Sequence, residues 1–127
     1  MNYWAVFVAA VVSYVIGIAW YSQWIFGRQW KKLSGVRHPK HPEKSMILGF
    51  ISTLIMSFVL AQFIQIAQAG SAMQGIIVAF WLWLGFVATV SLGMVIWEGK
   101  SIKLYVLLNA FELISMIVMA AIISGWA

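Results

Sequence analysis

The chain has no cysteine and only two prolines among its 127 residues, charged side chains make up just 9% of it, and all three of its acids are glutamates. Without thiols there are no disulfides and no thiolate chemistry. The two histidines, His38 and His41, stand on either side of Pro39-Lys40 in one short connection. With no carboxylate or thiol beside them they make a poor metal site and read as a solvated loop. No histidine falls in a long apolar run, so a Ser-His-Asp triad or bis-histidine haem ligation within such runs is excluded by inventory. No metal and no other cofactor is expected. A soluble domain carries about 25% charged and roughly 45–50% apolar residues. Here 64% are apolar and the mean hydropathy is +0.96, too few polar groups to clothe a water-facing surface.

What is present is four long apolar stretches, at about 3–25, 46–67, 75–97 and 104–126. At 1.5 Å of rise per residue, each is long enough as a helix to cross ~30 Å of hydrocarbon. The expected fold is all-α, a single integral-membrane domain of four transmembrane helices over 1–127. A barrel is excluded because the runs show no ten-residue alternation. Both prolines, Pro39 and Pro42, lie in the first connection, so four plain helices without proline kinks are expected. Met1-Asn2-Tyr3 is uncharged and the first run ends in aromatics and bases, which fits a retained span better than a cleaved signal peptide.

Orientation follows from the bases. Arg28, Lys31, Lys32, Arg37, Lys40 and Lys44 fall in the 27–45 connection, and Lys100 and Lys103 in the third connection. The second connection, 68–74, is uncharged. By the positive-inside rule the first and third connections lie in the cytoplasm and both termini outside, in a multi-pass protein of a bacterial inner membrane. The net charge of +5 does not imply nucleic acid. Most of it comes from one short connection without any binding-module signature, better explained as a topology signal attracted to anionic headgroups.

Small residues recur every fourth position: Ala5, Ala9, Ser13 and Gly17 in span one, and Gly49, Thr53, Ser57 and Ala61 in span two. Gly85, Thr89 and Gly93 continue the pattern in span three, and Ala120 with Ser124 in span four. Such stripes let helix backbones approach in lipid, where no hydrophobic force drives helices together. A close-packed bundle is expected, although small residues also suit a pore lining. Trp20, Tyr21 and Trp24 stand where aromatic rings favour the headgroup level. Phe26, Trp30 and Leu33 mark the apolar face of a short amphipathic helix with Arg28, Lys31 and Lys32 around them, ending near Ser34-Gly35 and expected on the membrane surface. Glu98 and Lys100 are expected to pair at the boundary.

One ionisable side chain lies within a span. Glu112 is about eight residues past Leu104, some 12 Å deep by helical rise, and no lysine, arginine or histidine accompanies it in any span. A charged carboxylate there costs about 2.5 kcal/mol or more, so the neutral acid is favoured unless water reaches it. Asn109 is one turn away on the same face. At comparable depth Ser13, Tyr14, Thr53, Ser57 and Thr89 offer hydroxyls. Glu112 either binds and releases a proton or cation in a small cavity, or hydrogen-bonds as a neutral acid across the bundle or an oligomer interface.

Asn2, Trp20-Tyr21-Ser22, Phe26-Gly27-Arg28-Gln29-Trp30, Trp83-Leu84-Gly85-Phe86, Glu98-Gly99-Lys100, Asn109 and Trp126 together resemble the bacterial membrane family known as domain of unknown function 1761. The resemblance spans essentially the whole chain and implies a four-helix inner-membrane protein. The family pattern often has a proline after Tyr-Ser. This chain has Gln23 there, so helix one is expected to run on smoothly through its exit. The resemblance implies no activity. The functional expectation is a small proton- or cation-linked transporter or channel acting as a homo-oligomer. The alternative is a non-catalytic accessory or scaffolding subunit of a larger membrane complex. An enzyme is not expected, since paired carboxylates and metal clusters are missing.

Overall fold

The computed structural model describes residues 2–35 and 42–126. Arg37, His38, Lys40 and His41, part of the first connection, lie outside the described residues. The fold is all-helical: α1 spans Tyr3–Trp20, α2 Gly27–Ser34, α3 Pro42–Ile66, α4 Ala72–Ile96 and α5 Ile102–Gly125. All but α2 are long and apolar enough to cross a membrane. Their outward faces carry exposed large apolar side chains such as Ile47, Leu48, Ile51, Ile55 and Phe58, which suits a lipid solvent and not water.

Polar residues cap three helices, and in α4 and α5 the cap lies ahead of the apolar run, so that these two begin earlier than the hydropathy implied. The Asn2 side chain accepts from the amides of Trp4 and Ala5 at 3.1 and 3.3 Å. Ser71 accepts from Gln74 at 3.3 Å and Ser101 from Leu104 at 3.1 Å. Each cap satisfies amides that the helix leaves without partners. Pro42 opens α3, where its missing N–H costs nothing.

Helix α5 is the hub, packed against α1, α3 and α4, whereas α3 and α4 scarcely meet. The core of Ala9, Leu60, Ile64, Ala79, Met116, Met119 and Ala120 fills the half of the bundle nearer the termini. The small-residue ladders of α1 and α3 turn inward: Ala5, Ala9, Ser13, Ser57 and Ala61 are buried. Close packing is nevertheless incomplete, because an apolar groove of about 490 Å³ lies open between α3 and α4.

Two expectations are corrected. Helix one does not run on: it ends at Trp20, and 21–26 form a tight turn. The Phe26 amide donates to Trp20 O at 3.0 Å, the Gly27 amide to Ser22 O at 2.8 Å, and the Ser22 hydroxyl to Ala19 O at 2.6 Å. These bonds close the turn without a proline.

The third span is not a plain helix either. Trp83–Ala88 forms a π-helical segment. A π turn inserts extra residue per turn and rotates everything after it. The inward positions therefore step from Ala79 to Trp83 to Ala88, both alanines being buried, so that Gly85 and Thr89 are carried to the exposed side. The expected stripe of Gly85, Thr89 and Gly93 is thus not the packing face; Gly75 and Ala79 are. Hydroxyls support the altered backbone, with Tyr105 donating to Ala88 O at 2.7 Å and Thr89 to Gly85 O at 2.5 Å. The expected Glu98–Lys100 pair does not form, and no ion pair joins any of the described residues.

Candidate functional site

Between α1, α3 and α5, toward the end where the cationic connections lie, is a cavity of about 340 Å³. Helix α1 and its exit supply Ser13, Tyr14, Gly17 and Tyr21; α3 supplies Gly49, Ser52, Thr53 and Met56; α5 supplies Phe111, Glu112 and Ser115. Two glycines shape it. The Phe111 ring lies so close to Gly17 that an added Cβ would meet its Cζ at 3.0 Å, and the Tyr14 hydroxyl would stand 3.4 Å from one at Gly49. The rings of Phe111 and Tyr14 thus lie against bare backbone and form walls.

The hydroxyls are mostly committed to holding the walls together. Ser13 and Ser115, both buried, hydrogen-bond to each other between α1 and α5. Tyr14 donates to Met46 O on α3 at 2.7 Å, and Thr53 donates to Gly49 O of its own helix at 3.0 Å. The Glu112 carboxyl is different. It is half-buried, lines the cavity, and makes no hydrogen bond or ion pair among the described residues. Tyr21 lines the same cavity.

Residues 4–124 match the family described as protein of unknown function (DUF1761). The chain belongs to that family. No curated protein and no solved structure matches it.

In this DUF1761 chain, four residues expected to form an intramembrane polar site share one cavity: Glu112, Ser13, Tyr14 and Thr53. Three others lie elsewhere. Ser57 is buried between α1 and α3, donating to Val6 O at 2.8 Å. Asn109 is buried and does not line that cavity: its side-chain Nδ2 donates to Tyr105 O of its own helix at 2.9 Å, and its main-chain carbonyl accepts the Trp83 indole of α4 at 3.0 Å. Its Oδ1 finds no partner among the described residues. Thr89 is exposed on α4.

Sequence reasoning passed over Ser52 and Ser115 and placed Tyr21 at the headgroups. Ser115 carried a usable signal, since it follows Glu112 by three residues and so shares its face. The aromatic residues at the first exit divide. Trp24 is 94% exposed, whereas Trp20 packs on Phe26 and Phe111 with ring centroids 4.5 and 6.1 Å away. Tyr21 lies between Trp30 at 5.0 Å and Phe111 at 5.4 Å. Arg28, Lys31 and Lys32 are exposed around α2. Among the described residues, no group of three histidine, cysteine or acidic side chains is placed to hold a metal ion.

Proposed function

We propose that this protein is a small proton- or cation-linked transporter of a bacterial inner membrane, with Glu112 as the group that takes up and releases the ion. The observation that carries this reading is the Glu112 carboxyl facing a cavity of about 340 Å³. A purely structural acid in a membrane span is expected to spend its proton on a neighbour across the bundle. Glu112 has no such partner among the described residues. Among the described residues the lining adds hydroxyl oxygens and no lysine, arginine or histidine, so a cation entering it meets one compensating charge and no repelling one from them. Beyond the cavity the core of Ala9, Leu60, Met116 and Met119 is closed, which favours alternating access over an open pore. The chain acts as a non-enzymatic carrier in this reading.

Flux measured with purified protein in liposomes is the test. Removing the charge with Glu112→Gln, nearly the same shape, is expected to reduce proton or cation flux by about tenfold or more, since an intramembrane ionisable group on an ion path is not replaceable by a neutral amide. Flux that survives the substitution unchanged removes Glu112 from the mechanism.

The reading also orients the chain, with the first and third connections on the cytoplasmic side. The absence of native cysteine makes this simple to check. A cysteine introduced within 37–41 is expected to resist an impermeant thiol reagent in intact cells and to react after permeabilisation. Labelling in intact cells reverses the orientation.

A further inference from the structure

The polar cavity and the open apolar groove are neighbours. Ser52 and Met56 of α3 line both, and on α5 the wall passes from Ser115 at the cavity to Met116 at the groove. The wall between them is the contact of α3 with α5, and Met56, the larger of the two side chains that line both spaces, is an unbranched thioether that changes shape easily. The groove is almost entirely apolar, with Ile55, Val59, Phe63, Leu82 and Phe86 among its lining residues, and has a volume of about 490 Å³. It opens where α3 and α4 fail to meet, within the apolar length of both spans.

We propose that the solute of the Glu112 site is a small hydrophobic organic cation, which enters from the bilayer through the α3–α4 groove and passes Met56 to place its cationic head beside Glu112. The inference rests on the reading of Glu112 as a cation-binding group and adds the substrate class and the route. Charge complementarity sets the head: one carboxyl, with no cationic side chain lining the cavity among the described residues. The rings of Tyr14, Tyr21 and Phe111 are among the lining residues, and aromatic rings attract an organic ammonium group. A small metal ion must shed tightly held water to reach such rings and has no hydrocarbon to place in the groove, and a hard dication seeks several oxygens. The apolar groove sets the body, since burying hydrocarbon there replaces contact with lipid or water at no polar cost.

The test uses the full chain in lipid nanodiscs and benzyltrimethylammonium as probe, with tetramethylammonium and sodium for comparison, read by isothermal titration. The expected result is saturable binding of benzyltrimethylammonium, tighter than tetramethylammonium by about tenfold or more for the added apolar ring. Glu112→Gln should weaken it by more than about thirtyfold, as loss of a buried charge partner does. Met56→Trp, which fills the divide, should weaken it by about tenfold, while Met56→Leu leaves it within about twofold. Equal affinity for the two ammonium ions, or binding that ignores Glu112→Gln or Met56→Trp, overturns the proposal. If Glu112-dependent flux of protons or sodium is seen without benzyltrimethylammonium binding, the organic-cation inference falls and the general transport reading stands. If neither flux nor binding depends on Glu112, both fall.

Discussion

A methyl group at residue 75 is expected to force α4 away from α5 and to lower the unfolding midpoint of the detergent-solubilised protein. Gly75 is buried against α5, beside Ser124 and Ala120. An added Cβ would lie 2.0 Å from Ser124 Oγ, 2.7 Å from Ser124 Cβ and 2.8 Å from Ala120 O. The hydroxyl, which now donates to Ala120 O at 2.6 Å, has room to rotate away. The Cβ and the carbonyl are fixed to the α5 backbone and do not. Overpacking of this kind costs about 1–3 kcal/mol, and the upper part of that range applies because the obstruction is backbone. Gly75→Ala should therefore destabilise, even though alanine is the better helix former by about 1 kcal/mol. Gly85→Ala provides the opposite sign. Its Cβ would meet nothing within 4 Å, so only the propensity gain remains. Ser124→Ala added to Gly75→Ala should recover part of the loss, because it clears the hydroxyl but neither the Cβ nor Ala120 O. Equal midpoints for Gly75→Ala and Gly85→Ala would show that α4 and α5 are not in this contact.

The same pair of glycines shows where sequence pattern stops being informative. Hydropathy located all four spans to within a few residues, and the four-residue ladders of α1 and α3 pointed to the faces that are buried. Both signals are local and cumulative, so they survive small errors of register. In α4 the ladder through Gly85, Thr89 and Gly93 was equally regular and faced the wrong way. One π segment at Trp83–Ala88 shifts the phase of all that follows, and its supports, Tyr105 and Thr89 hydroxyls, cannot be told apart in sequence from any other polar residue in a span. The cavity was half legible for a related reason. Glu112 stood out as the only acid within a span, and depth alone grouped it with Ser13, Tyr14 and Thr53. Depth does not fix azimuth, however. Asn109 is one turn from Glu112 yet does not line the cavity and bonds to Tyr105 O of its own helix, while Ser115 turns to Ser13. What the sequence does not show is the turn at the first exit, which sets the Tyr21 ring against Phe111.

That turn depends on Gly27, and Gly27→Ala is expected to open it. A Cβ at Gly27 would stand 2.5 Å from Tyr21 O, 2.6 Å from Ser22 O and 2.7 Å from Ser22 C. All three are backbone atoms. Nor can the backbone retreat without loss, since the Gly27 amide donates to Ser22 O at 2.8 Å and the Phe26 amide to Trp20 O at 3.0 Å. Relieving the clash means giving up these bonds, each with a net worth of about 0.5–1.5 kcal/mol. The consequences extend in both directions along the chain. Toward α2, the docking of Phe26 and Leu33 beside Ile102 and Val106 loosens, so tryptic cleavage after Arg28, Lys31 and Lys32 should accelerate by about tenfold or more, as it tracks the population of locally opened forms. Toward α1, Tyr21 swings out from under Phe111 and the cavity loses one wall, so transport activity should fall along with the protection. A Tyr21→Phe variant separates the two effects: it keeps the ring between Trp30 and Phe111, and with it the turn, while removing the hydroxyl of a residue that lines the cavity. If Gly27→Ala leaves cleavage unchanged, the chain does not make this turn, and Tyr21 is not a wall of the Glu112 site.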